Sequence, residues 1–336
     1  MSRAHAPAPT PAFNVRMPPV LQRLTDFDLG WLQRVLDRHQ TNDPYQASAT
    51  YYAMTGRDGV WLAKDETAQS AAVVCQHPNL SNSYLVFPPI GARGDALVWE
   101  VMKRIAATGA DCQVARANEA LVKRLSGSSA HGALVAAPER VLDWAYPVHT
   151  LDTAKLAAHR GGDYEPLRRK LNKLDMDKVT AIEIAPDVHR NTIEGIVALW
   201  SHGDRDKSAP YQRLLDLFGA APLSGRLHFF DGEPAGFSIW EQTTPETGMA
   251  NAFAHIGLRE IPGLSQYVMV DMCRTLEDRG YSRVCIGGSE TAGLDQFKRQ
   301  LRPVRSVSVG TWRYVPELTP RRTFEPGSAD TPRLSK

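Results

Sequence analysis

The chain has 336 residues, 43% of them apolar and 23% charged, with a formal net charge of +2. That is the composition of an ordinary globular protein, about two domains in length or one large one. The near-neutral balance excludes strong bulk attraction to nucleic acid, so such binding would need a local basic patch.

The N-terminal run MSRAHAPAPTPAFNVRMPP has no apolar core of signal-peptide length, and residues 1–19 read as a disordered tail. In the first half, GVWLAKD and SAAVVCQHP flank a polar turn, and YLVFPPIG follows as a third strand. A helix capped by Asp95 follows, with Leu97, Val101, Met102 and Ile105 at helical spacing and a stop at Gly109. CQVAR is a short strand after it. The linker LDTAKLAAHRGGDYEPLRRKLNKLD gathers Arg160, Arg168, Arg169, Lys170 and Lys173, with a helix expected from Asp163 or Tyr164. Arg169 and Lys173 then share a helical face at i, i+4. Two readings stand for this patch: a solvated connecting helix, or a surface for phosphates. IEGIVALWSHGD reads as a further helix, with Ile193, Ile196, Val197 and Trp200 on its apolar side.

The second half repeats the order of the first. RLHFFD and AGFSIWEQ flank Asp231-Gly232, a strong hairpin signal. MANAFAH is the third strand. A helix from about Pro262 carries Leu264, Val268, Met272 and Leu276 and stops at Gly280, and RVCIGG is the short strand after it. The repeat is one of pattern, not of letters. It predicts an α/β (α+β) fold of two tandem half-domains, each a mixed, mainly antiparallel sheet flanked by helices, with one irregular α/β domain as the alternative. The expected divisions are 20–145, a basic linker region 146–180, a C-terminal half 181–316, and a second disordered tail 317–336. Cys75, Cys112, Cys273 and Cys285 lack C-x-x-C spacing, which argues against a zinc site or redox pair. They read as reduced and mostly buried, as in a cytoplasmic protein. No apolar run approaches the ~18 residues of a membrane span.

Two stretches carry a family resemblance. AYPVHTLDTAKLAAHRGGDYEPLRRKLNKLD resembles the linker of a bacterial family of tandem acetyltransferase-like (DUF2156-like) proteins, with its tyrosine, leucine-rich turn and basic R-x-x-x-N helix. GLSQYVMVDMCRTLEDRGYSRVCIGGSETAGLDQFKRQLRP resembles that family's C-terminal signature: a helix, a strand leading to Gly-Ser-Glu, then Gly-Leu-x-x-Phe-Lys and Pro. The family is similar to the C-terminal catalytic domain of lysyl-phosphatidylglycerol synthases and has a GNAT-like fold. The resemblance implies a twin GNAT-like fold and acyl or aminoacyl transfer, with aminoacyl-tRNA or acyl-CoA as donor co-substrate and no tightly bound cofactor or metal. The membrane-spanning part of the lipid synthases has no counterpart in the sequence, so the resemblance does not imply a lipid acceptor.

A helix that starts just after a strand offers unpaired N–H groups to an anion. Here the turn reads Glu260-Ile261-Pro262-Gly263-Leu264-Ser265, with Arg259 before it. Gly263 permits close approach, but Glu260 places a negative charge where a pyrophosphate would sit, and Pro262 removes a donor. The turn departs from the usual CoA pattern, which favours aminoacyl-tRNA. Arg259, Gly263, Leu264 and Ser265 are donor-site candidates, with Arg299, Arg169 and Lys173. In LDQFKRQL, Leu294, Phe297 and Leu301 form an apolar stripe; Lys298 and Arg299 leave it and reach either the cleft or solvent. The resemblance points to Lys298 as the cation that stabilises the leaving group.

Transfer to an amine needs a base, because an alkylammonium with a pKa near ~10 is not a nucleophile. Glu241 and His255, at strand ends, are the candidates, each also readable as structural. Asp204, Asp206, Asn251 and Glu290 are candidates to hold the acceptor, Glu290 being equally readable as a helix cap. No G-x-S-x-G elbow, P-loop, H-E-x-x-H or Rossmann fingerprint occurs. The expected function is aminoacyl transfer from aminoacyl-tRNA to an amine or hydroxyl of a small molecule or peptide. Acyl-CoA-dependent N-acylation, or a non-catalytic binding protein on the same scaffold, are the alternatives. The first half is expected to be structural.

Overall fold

A computed structural model describes residues 21–39, 48–55, 59–77, 80–127, 132–137, 145–201, 208–242 and 248–316. The tails expected to be disordered lie outside these, as do Asp204 and Asp206.

The first half runs β1 (Leu21–Arg23), α1 (Asp26–His39), α2 (Ala49–Thr55), β2 (Val60–Asp65), β3 (Ser70–Gln76), β4 (Ser83–Val86), α3 (Gly94–Ala107), β5 (Asp111–Ala117), α4 (Glu119–Ser126) and β6 (Ala133–Ala136). Strand β7 (Val148–Asp152), α5 (Thr153–Ala158) and α6 (Glu165–Leu171) follow. The second half repeats the order: β8 (Val179–Glu183), α7 (Pro186–Trp200), α8 (Ser208–Asp216), β9 (Leu223–Phe230), β10 (Glu233–Gln242), β11 (Met249–Gly257), α9 (Leu264–Asp278), β12 (Arg283–Cys285), α10 (Ala292–Gln300) and β13 (Arg305–Val307). Strand β14 (Gly310–Val315) ends it.

The two mixed sheets are built alike. The first has the order β1-β2-β3-β4-β5-β14-β6, and the second, read from its β8 edge, β8-β9-β10-β11-β12-β7-β13. Each half thus sends its closing strand into the other sheet: β7 sits between β12 and β13, and β14 between β5 and β6. The sheets therefore depart from the sequence divisions. Val148–Asp152, in the expected linker, is a strand of the second sheet, and Gly310–Val315, in the expected C-terminal half, is a strand of the first. In both sheets one pair is parallel, β4 with β5 and β11 with β12; the other pairs are antiparallel.

Local chemistry sets the elements. Asp231 and Gly232 both have positive φ (55° and 82°), as the tight turn of the β9–β10 hairpin requires. Gly109 and Gly280, at φ 80° and 84°, follow the ends of α3 and α9. Asp95 is not the cap of α3; Arg93 holds that position, and Asp95 lies in the first turn, paired with Arg124 at 3.0 Å. Helix α6 ends at Leu171, so Lys173 lies beyond it and does not share a helical turn with Arg169.

One apolar cluster joins the halves. Leu32, Leu36, Tyr52, Leu62 and Phe87 of the first pack with Val148, Leu217 and Cys285. The other clusters lie mainly within one half each, with Met54 of α2 packed against the one on α7 and α8, and burial of such apolar surface drives the fold. All four cysteines are buried and unpaired by disulfides. Among the described residues, no helix is long and apolar enough to cross a membrane.

Candidate active site

Strands β11 and β12 pair only from Met249–Asn251 to Arg283–Cys285. β12 then ends while β11 runs on to Gly257, which opens a gap in the second sheet. His255 lies on the free stretch of β11, opposite Ser238 of β10. A register shift at Ile239/Trp240 sets which face each neighbour takes. Trp240 packs with Met269 and Met272 of α9, whereas Phe237, Ile239, Ala254 and Ile256 pack with α7 and α8. By strand alternation Ser238 and His255 share the α9 face, and Glu241 and Asn251 the opposite one.

On the opposite face the first half supplies partners. Ser48 caps α2 by accepting from Tyr51 N–H at 3.0 Å, and its hydroxyl donates to Glu241 Oε2. Thr50 Oγ1 donates to Oε1, and Asn251 Nδ2 approaches Oε2 at 3.4 Å. Glu241 and Asn251 are wholly buried. Burial pushes the Glu241 carboxyl up, against the downward pull of Ser48, Thr50 and Asn251. Asn251 Oδ1, Ser238 Oγ, Ser289 Oγ and His255 Nδ1 are buried without a hydrogen-bond partner among the described residues.

On the α9 face, Lys298 turns inward. It was expected to leave the apolar stripe of α10, yet it is only 4% exposed, because Nζ donates to Ile286 O at 2.6 Å and to Gly288 O. Two carbonyls on the turn leaving β12 replace the water it loses, which makes its burial affordable. Burial, and then the Lys298 charge, push His255 down to about 3, so its imidazole is neutral at physiological pH. Arg299 is exposed and reaches back to Asp295 Oδ2 at 2.6 Å.

The gap is flanked by the start of α9. Gly263 is its N-cap, at φ 87°. A Cβ there would lie 2.5 Å from Lys170 O, so only glycine lets the end of α6 pack against this turn. Leu264 is buried in a small cluster with Leu174, Ala235 and Val268, and Ser265 Oγ donates to Gly257 O at 3.2 Å. Arg259 and Glu260 are exposed beside it. Of the linker cations, Lys170 donates to Gln300 of α10 at 2.8 Å. Arg168 is spent on His159 O and Gly161 O, while Arg169, paired with Glu165 at 2.8 Å, and Lys173 are exposed. Glu290 is exposed, and the cap of α10 is Thr291, which accepts from Leu294 N–H at 3.3 Å.

The structure thus brings His255 and Lys298 together on one face, and Glu241 and Asn251 on the other. Arg259, Gly263, Leu264, Ser265, Arg169 and Lys173 lie around the α9 turn or on α6 beside it. Ser48 and Thr50 were missed by sequence reasoning; a Ser-x-Thr at a helix start is a common cap and says nothing of a partner in the other half.

The sequence profile described as phosphatidylglycerol lysyltransferase, C-terminal, matches residues 37–315. A comparison with curated protein sequences finds no match. Among solved structures, a conserved protein of unknown function from Bacteroides thetaiotaomicron superposes with TM-score 0.71 at 12% identity, over 88% of this chain and 99% of that one. L-PGS from Bacillus licheniformis gives 0.58 at 11%, over 84% and 90%. FemX gives 0.60 at 11%, over 88% and 97%. At these identities the likeness is one of fold.

Proposed function

The chain belongs to the family of the phosphatidylglycerol lysyltransferase C-terminal domain, and on that premise we propose that it transfers an aminoacyl group from aminoacyl-tRNA to an amine or hydroxyl of a small molecule or peptide. The observation that carries the reading is the gap between β11 and β12, with distinct polar groups on its two faces. An acyl group threaded through the gap has its carbonyl beside His255 and meets an acceptor arriving on the Glu241 face.

Each residue then has a task. The first turn of α9, with exposed Arg259 beside it and Arg169 and Lys173 on the neighbouring segment, faces the phosphates of the donor's terminus. Lys298 fixes the turn after β12 and sets a positive potential where the ester oxygen departs with its electron pair. His255, neutral, hydrogen-bonds the aminoacyl group. Glu241 takes the proton of the acceptor, since burial lifts its pKa toward the working range while His255 at about 3 is too weak a base. Asn251 Oδ1 accepts a hydrogen bond from the acceptor's N–H or O–H.

The test offers purified protein a charged total-tRNA pool, or an acyl-CoA panel, with amine and hydroxyl acceptors. Transfer of labelled amino acid that RNase abolishes supports the reading. Transfer that follows CoA instead selects acyl-CoA-dependent acylation, and absence of turnover with either donor overturns the proposal.

A further inference from the structure

At the β13 edge of the second sheet, separated from the gap by β12 and β7, three side chains form a chain of hydrogen bonds. His149 Nε2 lies 2.8 Å from Asp295 Oδ1, and His149 Nδ1 lies 2.8 Å from Ser306 Oγ. They come from β7, α10 and β13, and His149 and Ser306 face each other in register. His149 is 1% exposed and Asp295 5%, whereas Ser306 on its edge strand is open to solvent.

The proton positions follow from the partners. Burial pushes the Asp295 carboxyl up, but the bonds from His149 and Arg299 outweigh it and hold the group below the usual carboxylate range. It is ionised and can only accept, so the hydrogen of the neutral ring sits on Nε2. Burial, with Lys298 and Arg299, keeps His149 below its ordinary value despite Asp295. Nδ1 is therefore a bare lone pair, and the Ser306 hydroxyl donates to it. A hydroxyl on a neutral imidazole, oriented by a carboxylate, is the arrangement that activates a nucleophilic serine.

We propose that Ser306 is a second acyl-accepting centre, apart from the transfer site, which takes the acyl group of activated carboxylic esters with His149 as its base. Ser306 Oγ bonds to the ester carbonyl carbon and its proton passes to His149 Nδ1. The ester C–O bond then breaks, and the leaving oxygen takes that proton. Asp295 acts as a positioning residue, holding the tautomer. The inference does not depend on the donor of the main site.

The probe is p-nitrophenyl acetate on the full chain, read by p-nitrophenolate release and by peptide mass mapping. One acetyl group on the Ser306 peptide is expected, lost in Ser306→Ala, whose exposed position leaves the fold intact. Asp295→Asn is expected to slow acetylation by about 10²–10⁴-fold. Arg299 Nε claims the new amide's oxygen, which turns its NH₂ toward His149 Nε2 and moves the ring proton to Nδ1. The ¹⁵N shifts of His149 report that switch. Equal acetylation of wild type and Ser306→Ala, or label only at other residues, overturns the proposal. So does an unchanged rate in folded Asp295→Asn, and if that variant does not fold, the Ser306→Ala comparison decides alone.

Discussion

Ser48 of the first half donates its hydroxyl to Glu241 of the second, across 193 residues of sequence. The carboxyl proposed as base is thus held by both halves, and on that proposal the first half contributes to the site through Ser48 and Thr50.

Glu241→Gln keeps the shape and removes the base. The expected result is a transfer rate lower by about 10²–10⁴-fold with the donor KM little changed. A rate within a factor of about two, in the same assay, would exclude the role. Stability carries a second signature. A carboxyl whose folded pKa is raised contributes stability that is complete below its unfolded value and is lost as pH rises through the folded value. Denaturant titrations from acidic to neutral pH should therefore show wild type losing more stability than Glu241→Gln.

His255 is expected to stay neutral down to about pH 3. Its ordinary value is higher, so in the unfolded chain it gains a proton as pH falls through that value, while the folded chain does not. His255 then works against folding between the two values, and only below about 3 does its contribution stop changing. A ¹H–¹⁵N spectrum assigned with His255→Gln measures this directly. Titration at the ordinary imidazole value would refute the burial of the ring and its hydrogen-bonding task.

Lys298 tests holding against direct stabilisation. Lys298→Met loses two bonds to Ile286 O and Gly288 O, each worth about 1.5–3 kcal/mol for a charged donor. A fall in kcat/KM of about ten- to a thousandfold is expected. Calorimetry separates the effects: unchanged kinetics in a destabilised but folded variant leaves only the structural role.

Gly263→Ala forces a Cβ to within 2.5 Å of Lys170 O at a backbone angle of φ 87°. The strain is expected to cost about 1–3 kcal/mol and to push α6 off the α9 turn. Its kinetic trace should be a higher KM for the donor with kcat nearly kept. A donor KM equal to that of wild type, in a protein melting at the same temperature, would detach this turn from donor binding.

Removing β14 by ending the chain at Ser308 withdraws a strand from between β5 and β6. Hydrogen exchange should show the backbone amides of β5 and β6 losing protection while β9, β10 and β11 keep theirs. Protection of β5 equal to that of the intact chain would show that its pairing with β14 carries no stability.

What could be read in the sequence was local. The Asp231-Gly232 hairpin, the apolar spacing of α9 and its stop at Gly280 are set by neighbours in the chain, and the structure has all three. Glu241 and His255 were placed at strand ends by the same logic. The exchange of β7 and β14 was invisible, because short strands carry no mark of which sheet they join. For Lys298 the sequence left cleft and solvent both open; its two carbonyl partners come from a turn that only the tertiary fold brings close. Ser48 and Thr50 lay beyond reach for the same reason.

The crossed closing strands also bear on how substrates enter. Each half is stitched through the interior of the other's sheet, so the halves cannot swing apart as hinged lobes without pulling out an interior strand. Under the proposed transfer, donor and acceptor would then meet at the gap between β11 and β12 from its two faces, without the halves opening to admit them. Selection at such an opening falls to the outline of the acceptor and the groups it leaves unpaired, rather than to closure around it.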